Sequence, residues 1–293
     1  MSERTVLVTG PTGNVGRPLV RVLLERGVTV RAGHHRPQQC RAQLGEAVQV
    51  VHLDFHEPET FEAAARGCDA VFLLRPPAIS DTRTTLERFI DVAVAAGVGQ
   101  VVFLSVAGAE RNRWVPHHSV EEHLRARGGG HTLLRPGFFA QNFQDAYLRD
   151  IVEDDRIYVP AGRGRVAFVD LADVAEVAAL ALLQPAEHRG RAYTLTGPEA
   201  ITLEHAAQLV SAAVGRTVAY QPASGLGYVR HLRGRSLGWG QALVQTMLHV
   251  GLRFGQAAAV DPTLEALLGR PGRTFAEYVR DHAATWSRRR PER

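Results

Sequence analysis

Val6-Leu7-Val8-Thr9-Gly10-Pro11-Thr12-Gly13-Asn14-Val15-Gly16 decides the fold. A short apolar run is followed by glycines at G-x-x-G-x-x-G spacing, and then by Leu19, Val20, Leu23 and Leu24 at helical intervals. That order reads as a buried strand, a tight turn and a helix. Gly10 lets the chain leave the strand sharply. Gly13, without a Cβ, lets a diphosphate approach the backbone, and Gly16 lets the helix pack closely on the strand. The bare amides and positive dipole end of the new helix face that diphosphate. A glycine-rich turn with no ligand shares the local pattern. The place of this motif in the first strand of the chain favours nucleotide binding through Gly10, Thr12, Gly13, Asn14, Val15 and Gly16.

Outward from this turn, the pattern predicts strand 5–9, helix 14–26, strand 28–33, strand 48–53, a helix opened by Glu57-Pro58-Glu59, strand 71–74, helix 80–96, strand 101–105, helix 117–127 and strand 131–135. Alternating strands and helices point to parallel βαβ winding with right-handed crossovers. The expectation is an α/β, Rossmann-type doubly wound parallel sheet over residues 1–140. Residues 165–196 return to it through Val166 to Val169, the helix from Asp173 and a strand at 192–195. A smaller interleaved α/β lobe takes 141–164 and 197–293, with short strands at 157–159 and 217–220, and the substrate cleft is expected between the lobes.

Composition narrows the function. The 293 residues are 45% hydrophobic, enough for a large core. No signal peptide is read ahead of the first strand, and no apolar run nears the roughly 20 residues of a membrane span. Val174 to Leu183 is interrupted by Glu176. Cys40 and Cys68 form neither a disulfide framework nor a metal cluster, and a reduced cytoplasm is expected. Net charge is +4, yet no basic stripe interleaved with aromatics marks a nucleic-acid surface. The one cluster, Arg288 to Arg290, reads as a frayed tail. There is no lysine, so no mechanism here uses one.

Candidate chemistry follows the strand ends. A fold that prefers NAD holds a carboxylate roughly 20 residues past the glycines for the ribose 2′-hydroxyl. Here the segment is Arg31-Ala32-Gly33-His34-His35-Arg36. Arg36, with Arg31 or His35 near it, suits the 2′-phosphate of NADP(H) over NAD(H). Asp54 and Phe55 fit either an adenine contact or a capping Asp beside a core Phe. Leu74, Arg75 and Pro76 end the fourth strand, where ribose or nicotinamide is expected. Ser105 ends the fifth strand, where short-chain dehydrogenases set a Ser beside Tyr-x-x-x-Lys. No tyrosine precedes Tyr147 and lysine is absent, so that relay is excluded. His117 and Ser105 remain as catalytic candidates. His117 and Glu121, four apart, share a helix face and are placed to pair. An exposed histidine at a helix start is the alternative. Pro136-Gly137 turns the chain at the sheet edge. Phe138 and Phe139 are candidates for the floor of the nicotinamide or substrate pocket, with plain core packing an equal reading, and Phe143 and Trp114 are further substrate-pocket candidates; Ser105, Pro136 and Phe138 are also candidate cofactor contacts.

These segments carry a resemblance. Thr9-Gly10-x-Thr12-Gly13-x-x-Gly16, Val30-Arg31-Ala32, Asp54, Phe103-Leu104-Ser105, His117-x-x-x-Glu121-x-x-Leu124 and Leu134-Arg135-Pro136-Gly137-Phe138-Phe139-x-x-Asn142-Phe143 resemble NmrA-like atypical short-chain dehydrogenases/reductases. The similarity points to the bacterial NAD(P)H-quinone-reductase and azoreductase-like branch. Phe168-Val169-Asp170-x-x-Asp173-Val174-Ala175, Leu195-Thr196-Gly197-Pro198 and Leu267-Leu268-Gly269-Arg270-Pro271 extend it over nearly the whole chain. The resemblance implies nucleotide binding. It also implies quinone reductases, carbon-skeleton reductases or nucleotide sensors without turnover as the range of functions. In the plant phenylpropanoid reductases a catalytic Lys holds about the place of His117. The expectation is an NADPH-dependent reductase acting on a quinone, an enone or a related conjugated aromatic, in the manner of natural-product tailoring. A non-catalytic NADP(H) sensor and a cofactor-holding enzyme of a non-redox step are the alternatives. The partner is a small molecule, with no nucleic acid and no membrane, and the state is monomer or homodimer.

Overall fold

The computed structural model describes residues 4–287; the arginine cluster at 288–290 lies outside the described residues. β1 (Thr5–Thr9) is buried on both faces, which is why it reads as an unbroken apolar run instead of an alternating one. α1 (Gly16–Glu25) buries Leu19, Val20 and Leu23 and leaves Arg17, Arg21 and Glu25 in water. Each such leucine contributes about 1.5–3 kcal/mol by leaving water. Gly27, at φ +69°, lets the chain turn into β2 (Thr29–His34).

The first unit continues with α2 (Pro37–Leu44), β3 (Gln49–His52), α3 (Phe61–Ala65), β4 (Ala70–Leu74), α4 (Arg88–Ala95), β5 (Gln100–Leu104), α5 (Pro116–Arg127) and β6 (His131–Pro136). It leaves at Pro136 and resumes over Leu171–Leu195. In between lie α6 (Leu148–Glu153), β7 (Arg156–Val159) and β8 (Arg165–Val166), which belong to a second compact unit. On its return the first unit adds α7 (Leu171–Leu183), α8 (Pro185–His188) and β9 (Arg191–Leu195). The sheet order is β3-β2-β1-β4-β5-β6-β9, and every neighbouring pair is parallel. The winding reverses between β1 and β4. Ligands of doubly wound sheets bind beyond the carboxyl ends of the strands at such a point.

Alternate strand residues serve the two faces. Leu7, Val71, Leu73, Val101, Phe103 and Leu133 join Phe61, Phe89 and Leu124 under α3, α4 and α5. α7 lies against α1, β4, β5 and β6. Its buried alanines (175, 178, 179 and 181) permit that close approach. Arg4 donates to the carbonyls of Leu182 and Leu183, placing a cation at the negative end of α7.

The second unit holds Gly137–Asp170 and the chain from Thr196 onward. β10 (Ile201–Thr202) pairs antiparallel with β8, and β11 (Ala219–Pro222) pairs parallel with β7. The remaining helices are α9 (Leu203–Val214), α10 (Gly225–Gly234), α11 (Trp239–Arg253), α12 (Thr263–Leu268) and α13 (Phe275–His282). Phe143, Phe168, Tyr147, Phe275, Tyr278 and Trp286 lie in its core, where the Trp286 indole donates to the Phe143 carbonyl at 2.8 Å.

Some expectations are corrected. Val166 to Val169 does not rejoin the large sheet: β8 pairs with β10, and the return is made by α7 and β9. The strand expected at 217–220 lies at 219–222. Helix 80–96 opens with a π-helical turn at Arg83–Glu87 before α4. α2 was not expected; it buries only Cys40, so no apolar spacing announces it. Among the described residues no helix is long and apolar enough to cross a membrane.

Candidate nucleotide and substrate site

Gly10 sits at φ +60°, the left-handed region that ends β1. A Cβ on Gly16 would stand 2.0 Å from the Gly10 carbonyl oxygen. Gly16 therefore answers to the turn itself, a closer partner than the strand expected from sequence. Gly13 differs. It is exposed, and a Cβ there would meet Gly10 O only at 3.4 Å, an ordinary contact. Nothing inside the fold demands a glycine at 13, whereas a phosphate resting on the backbone would. α1 follows its N-cap residue Val15 with no side-chain cap and no acid in its first turn, an arrangement that suits an anion. Thr12 is half-buried, Asn14 exposed and Val15 buried. The Leu74 amide donates to Thr9 Oγ1 at 2.9 Å, tying the ends of β1 and β4 at the reversal point.

At the end of β2 the His34 and His35 rings stack, centroids 4.6 Å apart. The Arg36 amide donates to His34 Nδ1 at 2.9 Å, while the Arg36 side chain is exposed and makes no ion pair among the described residues. Arg31 is a correction. Its guanidinium donates to the carbonyls of Ala64 (3.1 Å) and Arg66 (2.7 Å) at the end of α3, so it is engaged away from a 2′-phosphate. Asp54 Oδ1 accepts from the His56 amide at 2.9 Å, a local turn. Phe55 is buried edge-on against Phe61 and Phe89. Phe55 thus lies in the core, while Asp54 closes a local turn and caps no helix, Glu57 being the residue ahead of the next one.

Beyond β4, Leu74 and Pro76 are half-buried, and Arg75 donates to the carbonyls of Pro76, Pro77 and Ile79. Its Nε also lies 3.3 Å from His117 Nε2. Burial and then the Arg75 charge push the His117 imidazole down to about 4, with Glu121 pulling weakly the other way. The expected His117–Glu121 pair does not form. Glu121, wholly buried, accepts from Ser105 Oγ at 2.6 Å, from Arg135 Nε at 2.9 Å and from Arg125 Nη2 at 2.9 Å. Burial raises its carboxyl; the hydrogen bonds from Arg135 and Ser105 and the Arg135 charge outweigh that and hold it below the ordinary range. The Ser105 proton is therefore engaged, which corrects its expected role as a donor to substrate. Pro136 closes β6, its carbonyl accepting from the Ala107 amide at 3.0 Å. Trp114 is 94% exposed.

In the second unit, Phe138 lies edge-on to Phe168 and His249. Phe139 is half-buried and bridges to Val169. Phe143 is fully buried among Tyr147, Phe168 and Phe275, so it is core and not pocket. Sequence reasoning missed a buried pair here. Tyr147 lies 2.6 Å from His249 Nε2, and His249 Nδ1 lies 2.7 Å from the Gln245 carbonyl. A carbonyl only accepts, so Nδ1 donates, Nε2 accepts and the tyrosine donates. The two residues are 102 apart in sequence, a distance that no local pattern bridges.

A reversed βαβ sheet, a glycine cradle at its reversal point and an unacidic β2 end define a Rossmann-type dinucleotide-binding protein. More particularly, the chain belongs to the NmrA-like family, whose model matches residues 2–278. It is 32% identical to an NAD(P)H azoreductase of Xenophilus azovorans, covering 96% of this chain and 99% of that relative. It is also 32% identical to a (4-alkanoyl-5-oxo-2,5-dihydrofuran-3-yl)methyl phosphate reductase of Streptomyces griseus, covering 96% and 99%. Among solved structures, an NADPH-dependent quinone oxidoreductase of Escherichia coli complexed with NADPH superposes with TM-score 0.83 at 27% identity, covering 94% of this chain and 98% of the other.

Proposed function

We propose that the protein is an NADPH-dependent reductase of quinones, enones or related conjugated aromatics. The observation that carries this reading is the glycine cradle whose middle glycine the fold itself does not need, set beside a β2 end with Arg36 and no carboxylate. The azoreductase and quinone oxidoreductase relatives support the reaction class. The bare start of α1 would hold the diphosphate, and Arg36 with His35 the 2′-phosphate. A reduced nicotinamide bound there supplies a hydride. Charge that develops on the acceptor's oxygen is met by a hydrogen bond from His117, since the Ser105 proton is already engaged by Glu121. Water supplies the proton that completes the reduction, which suits a site without the Tyr-x-x-x-Lys relay.

The test is a panel of quinones, enones and azo dyes, with NADPH oxidation followed optically. Turnover on at least one class is expected. Nucleotide binding without any turnover would instead favour a sensor, and product formed without net NADPH loss would favour a non-redox step. A separate expectation concerns Arg36. A charge-assisted hydrogen bond to the 2′-phosphate is worth about 1.5–3 kcal/mol, roughly a 10- to 150-fold preference. Arg36→Ala should narrow the NADPH-to-NADH gap by about that factor while leaving NADH affinity nearly unchanged. Equal affinities for both nucleotides in the unaltered protein would end this assignment.

A further inference from the structure

The contact between Arg75 and His117 has a consequence for where a proton sits. A guanidinium has only donors, so His117 Nε2, 3.3 Å from Arg75 Nε, faces it with a lone pair. A neutral imidazole carries one proton, and that proton is then on Nδ1. Burial and the Arg75 cation favour the neutral form, and Glu121 opposes them more weakly. From the β4 end comes the Arg75 cation. From β5 comes the Phe103 ring, 6.0 Å away and without charge. On α5 itself Glu121 is the nearest acid, and its oxygens are taken by Ser105, Arg125 and Arg135. His117 is 9% exposed, and its Nδ1 is buried with no hydrogen-bond partner among the described residues. A buried donor left unpaired costs about 1–3 kcal/mol, and such groups call for an explanation.

We propose that Arg75 is a positioning residue that fixes His117 as the neutral Nδ1–H tautomer. The hydrogen bond to substrate rests on the reductase reading above; the tautomer does not. The arrangement keeps His117 a neutral donor, and not an acid that surrenders its proton. Neutral imidazoles are known to act in that way when their cationic form is suppressed. It also assigns the two ring nitrogens different tasks: Nε2 is held, and Nδ1 carries the proton.

The experiment is long-range proton–nitrogen correlation spectroscopy on the full chain with labelled histidine and no nucleotide present, His117 being assigned by the signal lost in His117→Gln. The expected result is a protonated Nδ1 and a bare Nε2, unchanged from pH 6 to pH 8. A protonated Nε2, or a ring that titrates near the ordinary value of 6.5, would overturn the proposal. In Arg75→Met, circular dichroism being unchanged, the expected result is that Nε2–H becomes a major form and the ring titrates at higher pH. If Nδ1–H stays the only form in that variant, Arg75 does not set it. The spectrum reads ligand-free protein, so failure of the substrate panel and failure of the tautomer are separate outcomes.

Discussion

Gly16→Ala should abolish measurable nucleotide binding and destabilise the first unit. The added Cβ would lie 2.0 Å from Gly10 O, 2.8 Å from Gly10 C and 2.8 Å from Pro11 Cα, all of them backbone. No rotamer relieves such a contact, so the turn or the start of α1 has to move. Overpacking of this kind costs about 1–3 kcal/mol and occasionally more. The displaced amides then no longer converge on one anion, and a loss beyond tenfold in affinity corresponds to more than about 1.4 kcal/mol. Denaturant unfolding and titration calorimetry with NADPH measure the two effects separately. Gly13→Ala is the control: its Cβ finds 3.4 Å to the nearest atom, so the fold should hold while nucleotide binding weakens. If Gly13→Ala binds as well as the unaltered protein, no phosphate rests on that backbone.

Glu121→Ala should be the most damaging single change outside the turn. The carboxylate is wholly buried and gathers Ser105, Arg125 and Arg135. Its removal leaves the Arg135 side chain, 11% exposed, with the partly exposed Glu110 at 3.4 Å as its remaining acid. Breaking a buried pair by deleting one partner costs about 3–5 kcal/mol. Glu122, exposed and paired with Arg125, is the contrast; its loss should stay within about 1 kcal/mol. The same network sets a direction with pH. Glu121 holds its proton less tightly folded than unfolded, so in acid the unfolded chain binds more protons. The stability it contributes is present above the ordinary carboxylate value of 4.5 and is lost as pH falls below that through the lowered folded value. Urea midpoints across that acid range for the unaltered protein and Glu121→Ala should converge as pH drops. Parallel curves would show that Glu121 is not the group responsible.

The large sheet was legible because a strand covered on both faces has to be apolar throughout, and glycines mark where it turns. Val6 to Val8, Val71 to Leu74 and Val101 to Leu104 announce themselves in that way. The second unit was less legible. Its strands are two to four residues long, and α11 turns Trp239, Leu243, Met247 and Leu248 toward water, each more than half exposed. Apolar spacing on such a helix does not point to its core side. Local pattern singled out His117 and Ser105 as candidates but paired His117 with Glu121, where the structure gives it Arg75. The i, i+4 spacing on α5 favours Glu121, whereas Arg135 on β6 reaches the same carboxylate with two nitrogens. A long arginine from a neighbouring element outcompetes a helical neighbour, and sequence separation hides it. Arg31 misled for the same reason: its charge suited a phosphate, but two carbonyls at the end of α3 lay within reach.

The helix that closes one side of the large sheet arrives late in the chain. α7 lies against α1, β4, β5 and β6, yet it begins at Leu171, after the chain has made the excursion from Gly137 to Asp170. On the ribosome, six of the seven strands therefore emerge before their cover, with an oily flank turned to solvent. Domains generally fold as units during synthesis, and transiently bare apolar surface is where nascent chains stick to one another. This unit cannot seal vectorially. A fragment ending near Pro136 would lack α7, and the time taken to translate the inserted segment sets how long that flank waits for its cover.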